Sequence, residues 1–155
     1  MLDLFEELKD FITELSKSKK EYALCGGLAL AVYGVTRATI DIDILIARES
    51  LPEVLSITKK LGYRFPAAPM KFKGGTIEIH RVSKIDPETK DLFSLDCLVV
   101  TSAIESIWEG RRQVKWEGKN LWVVSRDGLI ALKLRRGSGQ DLDDIQKLKE
   151  IPNES

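Results

Sequence analysis

Two aspartates one residue apart, Asp41 and Asp43, interrupt a run of isoleucines in the segment 40–46, IDIDILI. The run is rich in β-branched residues and reads as a strand. Alternate side chains of a strand share a face. Asp41 and Asp43 should therefore point one way, and Ile40, Ile42 and Ile44 the other. Their Cα atoms would stand roughly 6.5–7 Å apart. The carboxylates can then converge on one point, or on two points about 4 Å apart. Two ionised carboxylates that close repel, so one protonates unless a cation sits between them. Hard oxygen ligands of this kind suit Mg²⁺ or Mn²⁺. The plain alternative is a half-exposed edge strand with two solvated aspartates, which the apolar flanks make uncomfortable.

A third acid, Asp96, lies in FSLDCLVV, another apolar strand. An unpaired buried carboxylate there would be expensive. A hydrogen bond or a strand edge could explain it singly. Three acids, each set in an apolar strand, are better explained by one shared metal site of the kind that supports phosphoryl chemistry. Upstream, Gly26-Gly27 follows one short strand and opens a short helix. A plain tight turn would need glycine there. So would a phosphate cradle, since glycine lets backbone approach a ligand closely and a helix start offers free N–H groups.

The elements that must position these groups follow from periodicity and punctuation. Residues 2–17 carry Leu4, Phe5, Leu8, Phe11, Ile12 and Leu15 at helical spacing. Residues 21–25 read as a strand, 28–34 as an apolar helix ended by Gly34, and 51–61 as a helix with Pro52 in its first turn. Residues 63–74 read as loop. Alternation over 76–82 and 92–100, with Asp86-Pro87 between, predicts an antiparallel hairpin. Thr101 can cap a helix to about Trp108, a second hairpin spans 114–124, and Ser125 or Asp127 can cap a helix through Arg136. A last helix runs over 140–150. The fold class is α+β, a small mixed central sheet flanked by helices.

Bulk composition narrows the setting. The chain has 155 residues, enough for one domain over 1–155 with its own core. Lys plus Arg equals Asp plus Glu, 24 each, so no strong basic excess marks a nucleic-acid binder, although a local patch is compatible. No apolar run approaches a membrane span, and the charged N-terminus has no signal-peptide core, so the expectation is a cytoplasmic protein. Cys25 and Cys97 sit in apolar strands and are expected to be free buried thiols. Two cysteines and one histidine make a structural zinc site unsuited to this chain.

Gly26-Gly27, Asp41-Ile42-Asp43 and Asp96 together resemble the polymerase-β-like nucleotidyltransferase superfamily. Gly26-Gly27-Leu28-Ala29, Gly34, Arg37, Thr39 and DIDILI look like its minimal bacterial and archaeal branch, which includes nucleotidyltransferase-type toxins of toxin–antitoxin and abortive-infection pairs. The tail LIALKLRRGSGQDLDDIQKL is similar to that branch's C-terminal motif, through Lys133, Asp141 and Asp144. The resemblance covers roughly residues 22–148. It implies transfer of a nucleotide from a nucleoside triphosphate to a hydroxyl or phosphate oxygen, with loss of pyrophosphate. Asp41, Asp43 and Asp96 would be catalytic and would hold Mg²⁺ or Mn²⁺. Gly26, Gly27, Arg37 and Lys133 would bind the nucleotide. The acceptor could be an RNA end, a protein or a small molecule, and a small antitoxin-like protein or a second copy could complete the site. One departure is Leu28, where many members carry Ser or Thr near the glycines. It leaves room for the alternative, a weak or inactive nucleotide- or RNA-binding module within a complex.

Several residues carry two readings. Arg37 can touch a phosphate or orient Asp41 or Asp43. Lys133 can be a solvated helix lysine or a cation facing the triphosphate or base. Asp141 and Asp144 suit the first turns of a helix by macrodipole alone. Thr76, Glu78 and His80 share one strand face, which reads as a solvent-facing polar row; if that strand pairs with the Asp96 strand, Glu78 could instead lie near the metal site. Trp108, Trp116 and Trp122 are expected to pack rather than to stack a base.

Overall fold

The computed structural model describes residues 2–35, 41–136 and 139–152. Helix α1 (Leu4–Lys17) starts on Asp3, whose carboxylate accepts the N–H groups of Phe5 and Glu6. Its buried stripe is Leu8, Phe11, Ile12 and Leu15, at the helical spacing of the sequence. Strand β1 (Ala23–Cys25) runs directly into α2 (Gly26–Val32), so both glycines belong to the turn that starts the helix. Strand β2 (Asp41–Ile46) and helix α3 (Leu51–Lys60) follow, with Pro52 tolerated in the first turn of α3.

The 63–74 segment is not all loop. Strands β3 (Phe65–Pro66) and β4 (Met70–Phe72) each add to β5 (Ile77–Ile85). They are too short for alternation to reveal them. β5 pairs antiparallel with β6 (Leu92–Val99), the expected hairpin, closed by a turn in which Asp86 accepts the N–H groups of Glu88 and Thr89. Thr101 does not cap a helix with its side chain. Its hydroxyl donates to the Thr76 carbonyl, and the helical stretch that follows begins as a 3-10 turn (Ser102–Ile104) and continues as the short α4 (Glu105–Glu109). β7 (Arg112–Trp116) and β8 (Lys119–Val123) make the second hairpin. Positive φ at Glu117 and Gly118 gives it the two-residue turn that fits strand twist. Ser125 accepts the Gly128 N–H at the start of α5 (Arg126–Arg136), and α6 (Gly139–Lys149) ends the series.

The strand order is β3-β5-β6-β2-β1-β8-β7, with β4 also on β5. β2 pairs parallel with β6, β1 pairs parallel with β8, and the other ladders are antiparallel. The sheet is therefore mixed, as expected. β2 lies between β6 and β1, and Ile42, Ile44, Leu45 and Ile46 are fully buried. This disposes of the exposed edge-strand explanation for its two aspartates. A central strand covered on both faces reads as a continuous apolar run, and this one does except at Asp41 and Asp43. No helix among the described residues is long and apolar enough to cross a membrane. Cys25 and Cys97 are buried free thiols.

Candidate active site

The parallel pairing of β2 with β6 puts Asp43 opposite Asp96, and Asp41 opposite Ser94. β5 places Arg81 opposite Asp96 on the other side, and β1 places Cys25 opposite Asp43. Cross-strand partners share a face. One row across the sheet thus reads Arg81, Asp96, Asp43, Cys25, and Asp41 lies in the next row with Ser94 and Ser83. A cleft of about 430 Å³ opens over these rows. Asp41, Asp43, Asp96, Gly26, Arg81 and Lys133 all line it. Its other wall carries Leu129 and Leu132 of α5, and its apolar end is built by Met70, Ile77, Ile79 and Leu98.

Gly26 is required by geometry. Its φ is +68°, and a Cβ there would lie 2.0 Å from Asp43 Oδ2. The backbone of the strand–helix turn is pressed against the carboxylate, and no side chain fits between them. Gly27 is buried in the first turn of α2 and does not line the cleft. Leu28 is in the core, so its side chain is directed into packing. Arg37 lies outside the described residues.

Asp96 is almost fully buried and is held by a two-pronged ion pair. Arg81 Nε donates to Oδ1 at 2.7 Å, and Nη2 donates to Oδ2 at 2.9 Å. The Asp96 carboxylate in turn holds the guanidinium pKa above its ordinary value. Burial, reinforced by the nearby Asp96 charge, raises the Asp41 carboxyl above the usual carboxylate range, and Arg81 offsets only part of this. Arg81 was not singled out from sequence. The signal was present in the Ile77, Ile79, Arg81 alternation, which ends an apolar face on a cation. What sequence does not give is the register that sets this cation against Asp96.

Glu78 and His80 face away from the cleft. Glu78 is buried, accepts from Arg48 Nη2 at 3.0 Å and from His80 Nε2 at 2.8 Å, and is held down to about 2 by these partners. It is neither near the carboxylate row nor part of a solvated polar face.

Lys133 is not a solvated lysine. It is 4% exposed, and its Nζ lies 2.9 Å from Asp144 Oδ2 and 3.5 Å from Asp141 Oδ1. Asp141 and Asp144 are equally buried. Their role is therefore more than favouring a helix start, because a buried lysine and buried carboxylates are tolerable only together. The cluster joins α5 to α6 and presents Lys133 and Asp141 to the cleft. The tryptophans pack as expected. Trp108 and Trp122 face the Arg111 guanidinium, and Trp116 lies against Phe5.

Among the described residues, no three His, Cys, Asp or Glu side chains converge closely enough to hold a metal by themselves. Mg²⁺ usually takes one or two carboxylates and completes its shell with water and substrate phosphates. Asp41 and Asp43, two carboxylates that line one cleft from the same strand face, fit that donor set. Asp96 fits it once its ion pair opens.

Solved structures give the class of this architecture, the nucleotidyltransferase fold. A candidate nucleotidyltransferase from Thermotoga maritima superposes with a TM-score of 0.62 at 18% identity, over 92% of this chain and 90% of that one. The lincosamide antibiotic adenylyltransferase LnuA, solved with lincomycin bound, gives 0.61 at 17% identity over 95% and 97%. ANT(2″)-Ia, solved with adenylyl-2″-tobramycin, gives 0.62 at 13% identity over 91% and 84%. At these identities the likeness is one of fold. Within that class, the chain belongs to the DUF6036 family, nucleotidyltransferases of unknown function, which it matches over residues 1–151. No curated protein matches the chain.

Proposed function

We propose that this protein, as one domain over residues 1–155, transfers a nucleoside monophosphate from a nucleoside triphosphate to an acceptor oxygen. The acceptor oxygen attacks the α-phosphorus, the bond from that phosphorus to the β-bridging oxygen breaks, and pyrophosphate leaves. The observation that carries this reading is the register Asp43–Asp96, with Asp41 one row away and Gly26 backbone against Asp43.

Asp41 and Asp43 would hold a Mg²⁺ or Mn²⁺ ion, and Asp96 would help hold a second. Such ions, when bound, neutralise triphosphate charge and make an acceptor hydroxyl more acidic. The chain's own contribution is mainly positioning and charge. Of the two glycines, Gly26 lines the cleft and its backbone would be the one to meet the β- and γ-phosphates, with Gly27 behind it in the first turn of α2. Lys133, fixed in direction by Asp144 and Asp141, supplies a cation on the α5 side. Lys73 and Arg135 line the same cleft and can meet phosphate oxygens. Arg37, just before β2, remains a phosphate contact of this reading.

The acceptor is an RNA end, a protein hydroxyl or a small molecule. Resemblance to nucleotidyltransferase-type toxins favours RNA or protein and a small antitoxin-like partner or a second copy. Likeness in fold to antibiotic adenylyltransferases adds the small molecule. Free buried thiols are in keeping with a cytoplasmic setting. A second reading, a nucleotide-binding module without activity, is favoured by two observations: Arg81 occupies both oxygens of Asp96, and Leu28 offers no hydroxyl.

The test is transfer of α-labelled nucleotide. Each α-labelled NTP is incubated with protein, Mg²⁺ or Mn²⁺, and total tRNA, extract proteins or an aminoglycoside. Metal-dependent labelling of one acceptor class, lost in Asp41→Ala/Asp43→Ala, is expected. Metal-dependent NTP binding without labelling supports the binding module. Neither binding nor labelling contradicts both.

A further inference from the structure

We propose that Arg81 is a positioning residue and the resident counter-ion of Asp96: it holds that carboxylate in the absence of nucleotide and must release it before a divalent cation can use it. This inference rests on the metal-assisted transfer reading above.

The pairing is specific in geometry. Both guanidinium prongs meet both carboxylate oxygens, at 2.7 and 2.9 Å. This fork–fork contact is the strong form of an Arg–carboxylate pair. The two partners are unequally covered. The Asp96 side chain is 6% exposed and the Arg81 side chain 39%, and both line the cleft. Arg81 is thus the partner with room to leave. It stands where a cation is needed, since Asp41 and Asp43 lie within its electrostatic reach as well. Buried Asp96 could not stay ionised cheaply with no cation beside it.

A guanidinium and a divalent cation on one carboxylate are like charges, so they compete. In the metal-assisted reading above, the first cation would load on Asp41 and Asp43. The second would need Asp96, and therefore a new partner for Arg81. A triphosphate in the cleft is such a partner, because phosphate matches the guanidinium fork as well as carboxylate does. Nucleotide binding would then free Asp96 and complete the site in one exchange.

The measurement is Mn²⁺ binding by the full chain, read from the free-ion EPR signal, with and without α,β-methylene-ATP. Arg81→Met keeps length and removes charge. It should tighten nucleotide-free Mn²⁺ binding, or add a second ion, by about tenfold in affinity, the scale on which groups around a metal site act. Asp96→Asn in that background should erase the gain. Arg81→Lys, which keeps charge but loses the fork, should fall between wild type and Arg81→Met, and it carries the test if the methionine variant does not fold. In wild type, the analogue alone should produce the tighter binding. Folded Arg81→Met, or Arg81→Lys in its place, with Mn²⁺ binding equal to wild type overturns the role of Arg81. Failure of every form, wild type included, to bind Mn²⁺ overturns the metal-assisted reading itself.

Discussion

Asp43 has Gly26 backbone against one side of its carboxylate and Asp96 across the ladder on the other. Gly26→Ala puts a methyl group into the carboxylate and forces a left-handed φ on a residue that resists it. The expected cost is about 1–3 kcal/mol for the backbone alone. Nucleotide transfer should fall further than stability does, because Asp43 must move. Urea melts beside transfer assays check this. Asp41 behaves differently. Burial and Asp96 raise its carboxyl, so the folded chain binds that proton more tightly than the unfolded chain. The stability linked to that proton is present at low pH and is lost as pH rises through the folded-state pKa. Asp41→Asn is therefore expected to melt above wild type at pH 7 in EDTA, to lose that advantage as pH falls below the ordinary carboxylate range, and to lose transfer. An Asn variant that melts below wild type at pH 7 contradicts this assignment.

At the scale of elements, β2 and β6 were legible because β-branched and apolar runs define strands on their own. The two aspartates of β2 could be assigned to one face by alternation alone. Their encounter with Asp96 could not be read from spacing, since the parallel ladder joins residues about a third of the chain apart. The same limit hid Arg81, whose strand was recognised but whose register was not. It also hid the meaning of Lys133, Asp141 and Asp144. Each suits a solvated helix by local rules, and only the packing of α6 on α5 buries them together. β3 and β4 escaped because two or three residues carry no period. The α5–α6 cluster gives a prediction of its own. Lys133→Met removes the cation shared by two buried carboxylates and should cost about 3–5 kcal/mol, the range for breaking a buried ion pair by removing one partner. Denaturant melts read it directly. A loss below about 1 kcal/mol, the value of an exposed pair, would mean that the cluster is solvated.

At the scale of the whole molecule, a mixed sheet and α5 enclose one cleft with carboxylates at one end and an apolar wall at the other. Its volume of about 430 Å³ falls within the range of small-ligand sites. The chain belongs to a nucleotidyltransferase family and has the nucleotidyltransferase fold. The central claim, attack at the α-phosphorus beside Asp41 and Asp43, is tested most directly by the fate of two labels. With the responsive acceptor and Mg²⁺, α-labelled NTP should label the acceptor, and γ-labelled NTP should release all its label as pyrophosphate, with both signals lost in Asp41→Ala/Asp43→Ala. Transfer of the γ label to the acceptor, or α transfer that survives loss of both aspartates, would contradict it.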